Sequence, residues 1–198
     1  MASCAVLASG TGTNFEAIST RIADSNHTVA ALLCDRRTAP VLRKAQTLRI
    51  PAYFIPYDRN RRMVFERAAS VILRGLRVDL IVLAGFMRIL TSQMINAFGG
   101  RIINIHPSLL PDFPGTHAIE RSFVSTHEEL GVTVHFVDSG LDSGPVIARQ
   151  SFRRSMDASL EEIETEVHAI EHSLYPAVVI ELLDRIEQER LIGMAAGE

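Results

Sequence analysis

The sequence has no tryptophan and only two cysteines, Cys4 and Cys34, among 198 residues. Each cysteine lies in or beside a short apolar run, so we expect two buried, reduced side chains and neither a disulfide framework nor a CxxC site. No apolar stretch approaches the roughly 20 residues that cross a bilayer, and the chain opens without a basic leader segment. We therefore expect a cytoplasmic protein.

An excess of one charge is also lacking, because 20 basic residues are balanced by 23 acidic residues, for a formal net charge of -3. Such a chain has no strong field to attract a phosphate backbone or an anionic membrane, and we expect neither partner. The hydrophobic fraction of 47% is ordinary for a globular protein. The length suits one domain over residues 1–198.

Short apolar segments alternate with segments of helical period in the first half of the chain. Five such segments predict strands, at residues 4–9, 28–34, 51–55, 80–85 and 101–106. Helices are expected to begin near Asn14, Pro40 and Arg61. Two later segments, 131–137 and 145–152, predict an antiparallel addition. The fold class is therefore α/β, with a doubly wound, mainly parallel sheet, helices on both faces and an antiparallel C-terminal addition.

The last long helix is expected to start at Ser159, because Ser159 and Glu162 form a capping-box pattern ahead of an apolar helical face. Pro176 is expected to disturb this helix. The final residues, 192–198, are expected to fray.

Asn104 and His106 are two residues apart at the end of a predicted strand. Their side chains therefore leave the same face, at the edge of the sheet where α/β proteins bind ligands. Asp142 lies in a turn-rich loop, and its carboxylate beside His106 would favour an imidazolium. An imidazolium and an amide donor suit acyl transfer to an amine through a tetrahedral intermediate. On spacing alone, a strand-end histidine is more often a structural, hydrogen-bonded residue than a catalytic one.

Two other motifs predict different chemistry. His168, Glu171 and His172 spell the inverted zinc-protease motif, but Pro176 follows and little chain remains for a third ligand, so no metal is expected. GTGTNF at residues 10–15 is a poor dinucleotide fingerprint, since only Asp35 could hold a ribose. The remaining histidines, which look exposed or without a partner, are assigned no catalytic role: His27, His117 and His127.

Four segments together carry a resemblance to a known family: SGTGTN (9–14), LAGFMRIL (83–90), NIHPSLLP (104–111) and LDSGPVI (141–147). From about residue 4 to 185 the chain resembles the phosphoribosylglycinamide formyltransferases of the folate-dependent formyltransferase superfamily. The resemblance implies transfer of a formyl group from 10-formyltetrahydrofolate to glycinamide ribonucleotide in purine synthesis. It further implies a nucleotide-binding half to about residue 100, a catalytic and folate-binding half over 101–185, a tail at 186–198, and a monomer or homodimer.

The same resemblance assigns roles to individual residues. The catalytic set is Asn104, His106 as general acid, and Asp142. Separately from the resemblance, Thr133 and His135 share a face of a predicted strand, and we expect them to line the site as support. The substrate phosphate is assigned to Gly12, Thr13 and Asn14. The amine-bearing end is assigned to Glu171 and to His168, which stands where the family has glutamine. Folate contacts are assigned to Arg62 (or its neighbour Arg61), Met87, Arg88, Ile89, Leu90, Asp138, Ser139, Gly140 and Leu141, with apolar side chains covering the pterin ring.

Three alternatives to this function lie within and beyond the resemblance. Methionyl-tRNA formyltransferases carry a further C-terminal domain, for which we expect no room here. A formyltetrahydrofolate hydrolase would use the same three catalytic groups, with water in place of the amine. A folate- or nucleotide-binding module without chemistry is the third alternative, and the joint presence of Asn104, His106 and Asp142 argues against it.

Overall fold

The arrangement of strands in one sheet positions the whole site. A computed structural model of the protein describes residues 1–155 and 157–195. Its strands are β1 (Ser3–Ala8), β2 (Thr28–Cys34), β3 (Ala52–Phe54), β4 (Leu80–Leu83), β5 (Ile102–His106), β6 (Glu129–Phe136) and β7 (Val146–Arg153). The sheet order is β3-β2-β1-β4-β5-β6-β7, with parallel pairing as far as β5 and antiparallel pairing of β6 and β7.

Helices cover both faces of this sheet. They are α1 (Thr13–Ala23), α2 (Val41–Thr47), α3 (Arg62–Gly75), α4 (Ser92–Ala97), α5 (Ala118–Phe123) and α6 (Leu160–Ala195). Buried side chains of α1, α2 and α6 form a core with one face, and those of α3 and α4 form a second core with the other face. The predicted doubly wound fold with its antiparallel addition is confirmed.

The predicted strand bounds agree with the structure to within two residues, whereas α4 and α5 were not predicted. Both helices have only six residues, too few to show a helical period. α4 does carry a local signal, because the side chain of Thr91 accepts a hydrogen bond from the Met94 amide at 3.3 Å. α5 follows His117, whose left-handed backbone carries no side-chain cap.

α6 confirms its predicted start and corrects its predicted end. The Ser159 hydroxyl accepts a hydrogen bond from the Glu162 amide at 3.3 Å, and the Glu162 carboxylate accepts one from the Ser159 amide at 2.7 Å. Contrary to the prediction for Pro176, the helix runs through this residue without a break from Leu160 to Ala195. The residues predicted as a tail from 186 are helical as far as Ala195, and residues 196–198 lie outside the described residues.

No helix in the described part combines the length and apolar character needed to cross a membrane.

Polar contacts at the opposite edge of the sheet hold the second half of α6. The buried His27 ring lies 2.9 Å from Asp184 Oδ1 through Nε2, and its Nδ1 accepts from the Ala2 amide at 3.3 Å. Arg190 pairs with buried Asp79, which also accepts from the Ser3 amide. The prediction of an exposed His27 without a partner is therefore wrong: the ring was buried by a helix 157 residues away in sequence.

The two other histidines that lacked an evident partner also have one. His117 Nδ1 lies 3.1 Å from Glu120 Oε1, and His127 Nε2 lies 3.6 Å from Asp112 Oδ2. Both pairs are solvent-exposed, where an ion pair contributes at most about 1 kcal/mol. They are surface contacts. The i,i+3 spacing of His117 and Glu120 is a local signal for the first pair, whereas Asp112 is 15 positions from His127 and left none.

Replacing Arg190 tests how firmly α6 is held. In Arg190→Gln, buried Asp79 loses its cationic partner, and we expect the free energy of unfolding to fall by about 1–3 kcal/mol in urea denaturation. The control on the same helix is Arg185→Gln, whose pair with Glu189 is exposed on both sides and should change stability by less than about 0.5 kcal/mol. Equal losses in the two variants would contradict the anchoring role.

Candidate active site

The carboxyl end of β5 carries the predicted pair of polar side chains. Asn104 lies in register beside Leu83 of β4 and His135 of β6, while His106 lies opposite Thr133. The two side chains leave the same face because strand side chains alternate. His106 is 4% exposed, so its ring is shielded on nearly all sides.

A chain of polar contacts joins the pair to the loop after β6. Asn104 Nδ2 lies 3.4 Å from His135 Nε2, which lies 3.6 Å from Asp142 Oδ1. The other carboxylate oxygen, Asp142 Oδ2, lies 3.3 Å from His106 Nδ1. The structure thus brings together the three residues predicted as catalytic, and it places His135 between the amide and the carboxylate.

His135 is held in one neutral tautomer. Its Nδ1 lies 2.9 Å from the Phe136 carbonyl, which can only accept, so Nδ1 carries the hydrogen and Nε2 accepts from Asn104. Burial lowers the pKa of His135, which favours the same uncharged form. Asn104 gives one amide hydrogen to this ring, and among the described residues no other acceptor takes its second hydrogen.

His106 has the opposite requirement. Its Nε2 lies 2.9 Å from the Phe113 carbonyl and must donate there, so a neutral ring would turn the lone pair of Nδ1 toward the Asp142 carboxylate. An imidazolium satisfies both contacts with N–H groups. Asp142 is fixed independently, because its Oδ2 accepts from the Gly115 amide at 2.8 Å. The arrangement can therefore offer a proton and an amide donor at one place.

The segment after His106 is tied to β6 and contains strained backbone. Thr133 Oγ1 accepts from the Leu110 amide at 3.0 Å and donates to the Ser108 carbonyl at 2.7 Å. Phe113 has a φ of 54°, a conformation that costs a bulky residue on the order of 1–3 kcal/mol. Sequence reasoning missed Phe113 because its contribution is a backbone carbonyl, which leaves no residue-type signal.

The turn between β1 and α1 can be made only by glycine at position 12. Gly12 has a φ of 75°, and a Cβ there would lie 2.6 Å from Val41 Cβ. Exposed Thr13 begins α1, and buried Asn14 follows. Such a turn leaves backbone N–H groups and the positive end of the helix dipole at the same edge of the sheet as His106.

α6 approaches this turn through one carboxylate. Glu171 is 6% exposed, and its Oε2 accepts from Asn14 Nδ2 at 3.1 Å. His168 Nδ1 lies 3.0 Å from the same oxygen, and this hydrogen bond raises the pKa of His168. The structure thus joins the residues predicted for the phosphate turn to those predicted for the amine end. Among residues 1–155 and 157–195, no three His, Cys, Asp or Glu side chains are grouped to hold a metal ion.

Comparison with known proteins decides the family. The formyl transferase family profile matches residues 2–179. A phosphoribosylglycinamide formyltransferase of Bacillus subtilis is 44% identical over 182 residues, which cover 90% of this chain and 93% of that protein. The chain belongs to the phosphoribosylglycinamide formyltransferase family. It is accordingly an enzyme that transfers formyl groups.

Solved structures and longer relatives agree with this assignment. The crystal structure of glycinamide ribonucleotide transformylase 1 from Geobacillus kaustophilus superposes with a TM-score of 0.88 at 42% identity, covering 92% of this chain and 99% of that one. The trifunctional purine biosynthetic protein adenosine-3 of Homo sapiens is 33% identical over 88% of this chain, which spans 18% of that longer protein. The same unit therefore occurs both as a separate protein and as part of a longer, multifunctional chain.

The segment 87–90, which the sequence resemblance assigned to folate, has two exposed side chains and two side chains held by the protein. Met87 and Ile89 are 61% and 65% exposed, as a ring-covering role requires. Leu90 is 6% exposed and packs in the core beneath α3 and α4, so little of its side chain is available to cover a pterin ring. Only its backbone is available for that contact.

Arg88 is held by contacts that the sequence did not show. Its Nε lies 2.6 Å from Asp35 Oδ2, and its guanidinium lies 4.5 Å from the centre of the Tyr57 ring. Asp35, considered above only as a ribose ligand, is fully buried at its side chain and bonds this arginine instead. The terminal nitrogens of Arg88 have no part in the bond to Asp35.

The remaining residues assigned to folate lie on a surface loop and at the start of α3. Asp138 Oδ1 accepts from the Gly140 amide at 3.0 Å and from Ser143 at 2.9 Å, which orders the loop that carries exposed Leu141 and Ser139. In the described part of the chain, no hydrogen bond or ion pair links Arg62 to the other assigned residues. Its neighbour Arg61 lies 4.0 Å from Asp58.

The buried, neutral His135 predicts a pH dependence of stability. Because burial lowers its pKa below the usual 6.5, the unfolded chain takes up a proton below that pH that the folded chain does not. We expect this contribution to be complete above pH 6.5 and to be lost as the pH falls toward the pKa of the folded state. Urea denaturation between about pH 7 and 5 should therefore show a flatter profile in His135→Gln.

The matched control is His127→Gln, which changes an exposed histidine that lies beside Asp112 in the loop after β5. Its profile should run parallel to that of the wild type. If the profile of His135→Gln also ran parallel to the wild type, His135 would not be held neutral by burial.

Proposed function

We propose that the protein transfers the formyl group of 10-formyltetrahydrofolate to the amine of glycinamide ribonucleotide, a step of purine synthesis. The observation that carries this proposal is the contact chain Asn104, His135, Asp142 and His106 at the end of β5. An amide donor and a cationic acid close to one point are what acyl transfer to an amine needs.

The reaction follows from these donors. The amine nitrogen forms a bond to the formyl carbon, and the carbonyl oxygen becomes an oxyanion. The second amide hydrogen of Asn104 and the Nε2–H of the His106 imidazolium stabilise it, with the oxyanion taking the place of the Phe113 carbonyl at Nε2. The bond from carbon to N10 of the folate then breaks. His106 gives a proton to N10, and the proton that the amine loses restores the imidazolium, while Asp142 keeps the ring oriented.

The acceptor is proposed to lie between α1 and α6. The backbone N–H groups at Gly12, Thr13 and Asn14 suit the phosphate of the ribonucleotide, because a helix N-terminus favours an anion. Glu171, with His168 beside it, is proposed to hold the amine-bearing end. In support, Asn14 and Glu171 are already hydrogen-bonded to each other.

The donor is proposed to lie along the segment after β4. Exposed Met87 and Ile89 would cover the pterin ring, and Leu90 would contribute its backbone. Arg88, held by Asp35, offers its terminal nitrogens to a carboxylate of the folate tail. Arg62 and the loop of Asp138, Ser139, Gly140 and Leu141 complete the proposed folate contacts.

Asn104→Ala tests the proposed oxyanion donor. We expect kcat for formyl transfer to fall by roughly a hundredfold to a thousandfold, the usual loss for one such group. The measurement follows formylated ribonucleotide and free formate separately, with His106→Ala as a second inactive variant. Thr47→Ala, which removes an exposed hydroxyl bonded within α2, is the control.

Two outcomes of this assay would contradict the proposal. Wild-type protein that makes no formylated ribonucleotide would refute the transfer reaction. Formate released without that product would show the hydrolase instead.

Asp35→Asn tests whether the buried carboxylate serves folate binding through Arg88. The change keeps the shape but removes the charge, and a loss of about 1 kcal/mol corresponds to a roughly fivefold higher KM for 10-formyltetrahydrofolate. The KM for glycinamide ribonucleotide and kcat should stay near their wild-type values. Asp24→Asn, at the exposed end of α1, is the control. An equal rise in both KM values would contradict this role.

A further inference from the structure

Tyr175 stands out among the buried residues that the proposed mechanism does not use. It lies in the middle of α6 with 0% of its surface exposed. Its hydroxyl lies 2.9 Å from the Leu83 carbonyl and 3.3 Å from the Ile103 carbonyl. Leu83 is the last residue of β4, and Ile103 is the residue before Asn104 on β5.

The Tyr175 hydroxyl approaches the peptide between Ile103 and Asn104 from the side opposite the Asn104 side chain. Ile103 and Ile105 pack in the core shared with α6, whereas Ile102 packs in the core under α3 and α4. Strand alternation therefore places Asn104 on the face away from α6. The Ile103 carbonyl is part of the peptide that leads into Asn104, so the hydroxyl holds the backbone from which the amide donor projects.

Packing explains the ring of Tyr175 but not its hydroxyl. A phenylalanine would fill the same volume, and a hydroxyl buried without a partner would destabilise the fold by a few kcal/mol. Burial raises the pKa of Tyr175 well above its usual value, so the group stays a hydrogen-bond donor at any pH the protein meets. The single O–H is thus shared between two carbonyls, one on β4 and one on β5, and links these neighbouring strands to α6.

We propose that Tyr175 is a positioning residue that couples the acceptor-binding part of α6 to the amide donor Asn104. Glu171 lies one helical turn before Tyr175, and its carboxylate is bonded to Asn14. The hydroxyl of Tyr175 therefore fixes the distance between the residue proposed to hold the acceptor and the residue proposed to stabilise the oxyanion. This inference rests on the proposed function.

Tyr175→Phe tests the coupling, because it keeps the ring and removes only the hydroxyl. We expect kcat to fall about tenfold, since small misplacements of a reacting group are costly, with both KM values within about twofold of the wild type. The control is Ser173→Ala, which removes a hydroxyl bonded within the same helix. Thermal unfolding of each variant identifies the folded fraction. A lower Tm with unchanged kcat per folded molecule would show a structural role and overturn the proposal.

A measurement without substrates separates this inference from the proposed function. In Tyr175→Phe we expect the side-chain amide resonances of Asn104 to shift in ¹⁵N NMR spectra, while those of exposed Asn60 stay in place. Unchanged Asn104 resonances would overturn the coupling. Absence of formyl transfer by the wild type would refute the proposed function, whatever the spectra show.

Discussion

β5 pairs in parallel with β4 on one side and antiparallel with β6 on the other, and the polar cluster depends on this double pairing. The parallel side brings the end of β5 to the edge where β1 and β4 also end. The antiparallel side places His135 opposite Asn104. A slip of one residue would turn these side chains into the opposite core, and the burial of Ile103 and Ile105 opposes that slip.

Two histidines next to one carboxylate show how the backbone decides chemical roles. Each ring donates one N–H to a carbonyl, His135 to Phe136 and His106 to Phe113. The two rings differ in what the second nitrogen meets. His135 Nε2 lies 3.4 Å from the Asn104 amide and 3.6 Å from Asp142 Oδ1, whereas His106 Nδ1 lies 3.3 Å from Asp142 Oδ2. The same residue type thus contacts mainly an amide donor in one case and a carboxylate in the other, within one cluster.

Sequence patterns predicted what depends on local spacing. The strands followed from apolar runs, and the shared face of Asn104 and His106 followed from the period of two residues along a strand. Contacts between distant segments left no local trace. Asp35 meets Arg88 across 53 positions, and Tyr175 meets Ile103 across 72. The burial of the Leu90 side chain could not be predicted either, because an apolar residue type is expected both for a side chain that covers a ligand and for one that packs in a core.

Strain around His106 is tolerated because backbone contacts hold the loop. Thr133 bonds the chain at two points before Phe113, and Asp142 bonds it at Gly115. These contacts hold the Phe113 carbonyl at Nε2 of His106. In the proposed reaction a substrate oxygen takes the place of this carbonyl, and a developing oxyanion forms the stronger, charge-assisted bond. Because the exchange removes a donor from the Phe113 carbonyl, it is most favourable at the point in that reaction at which negative charge appears.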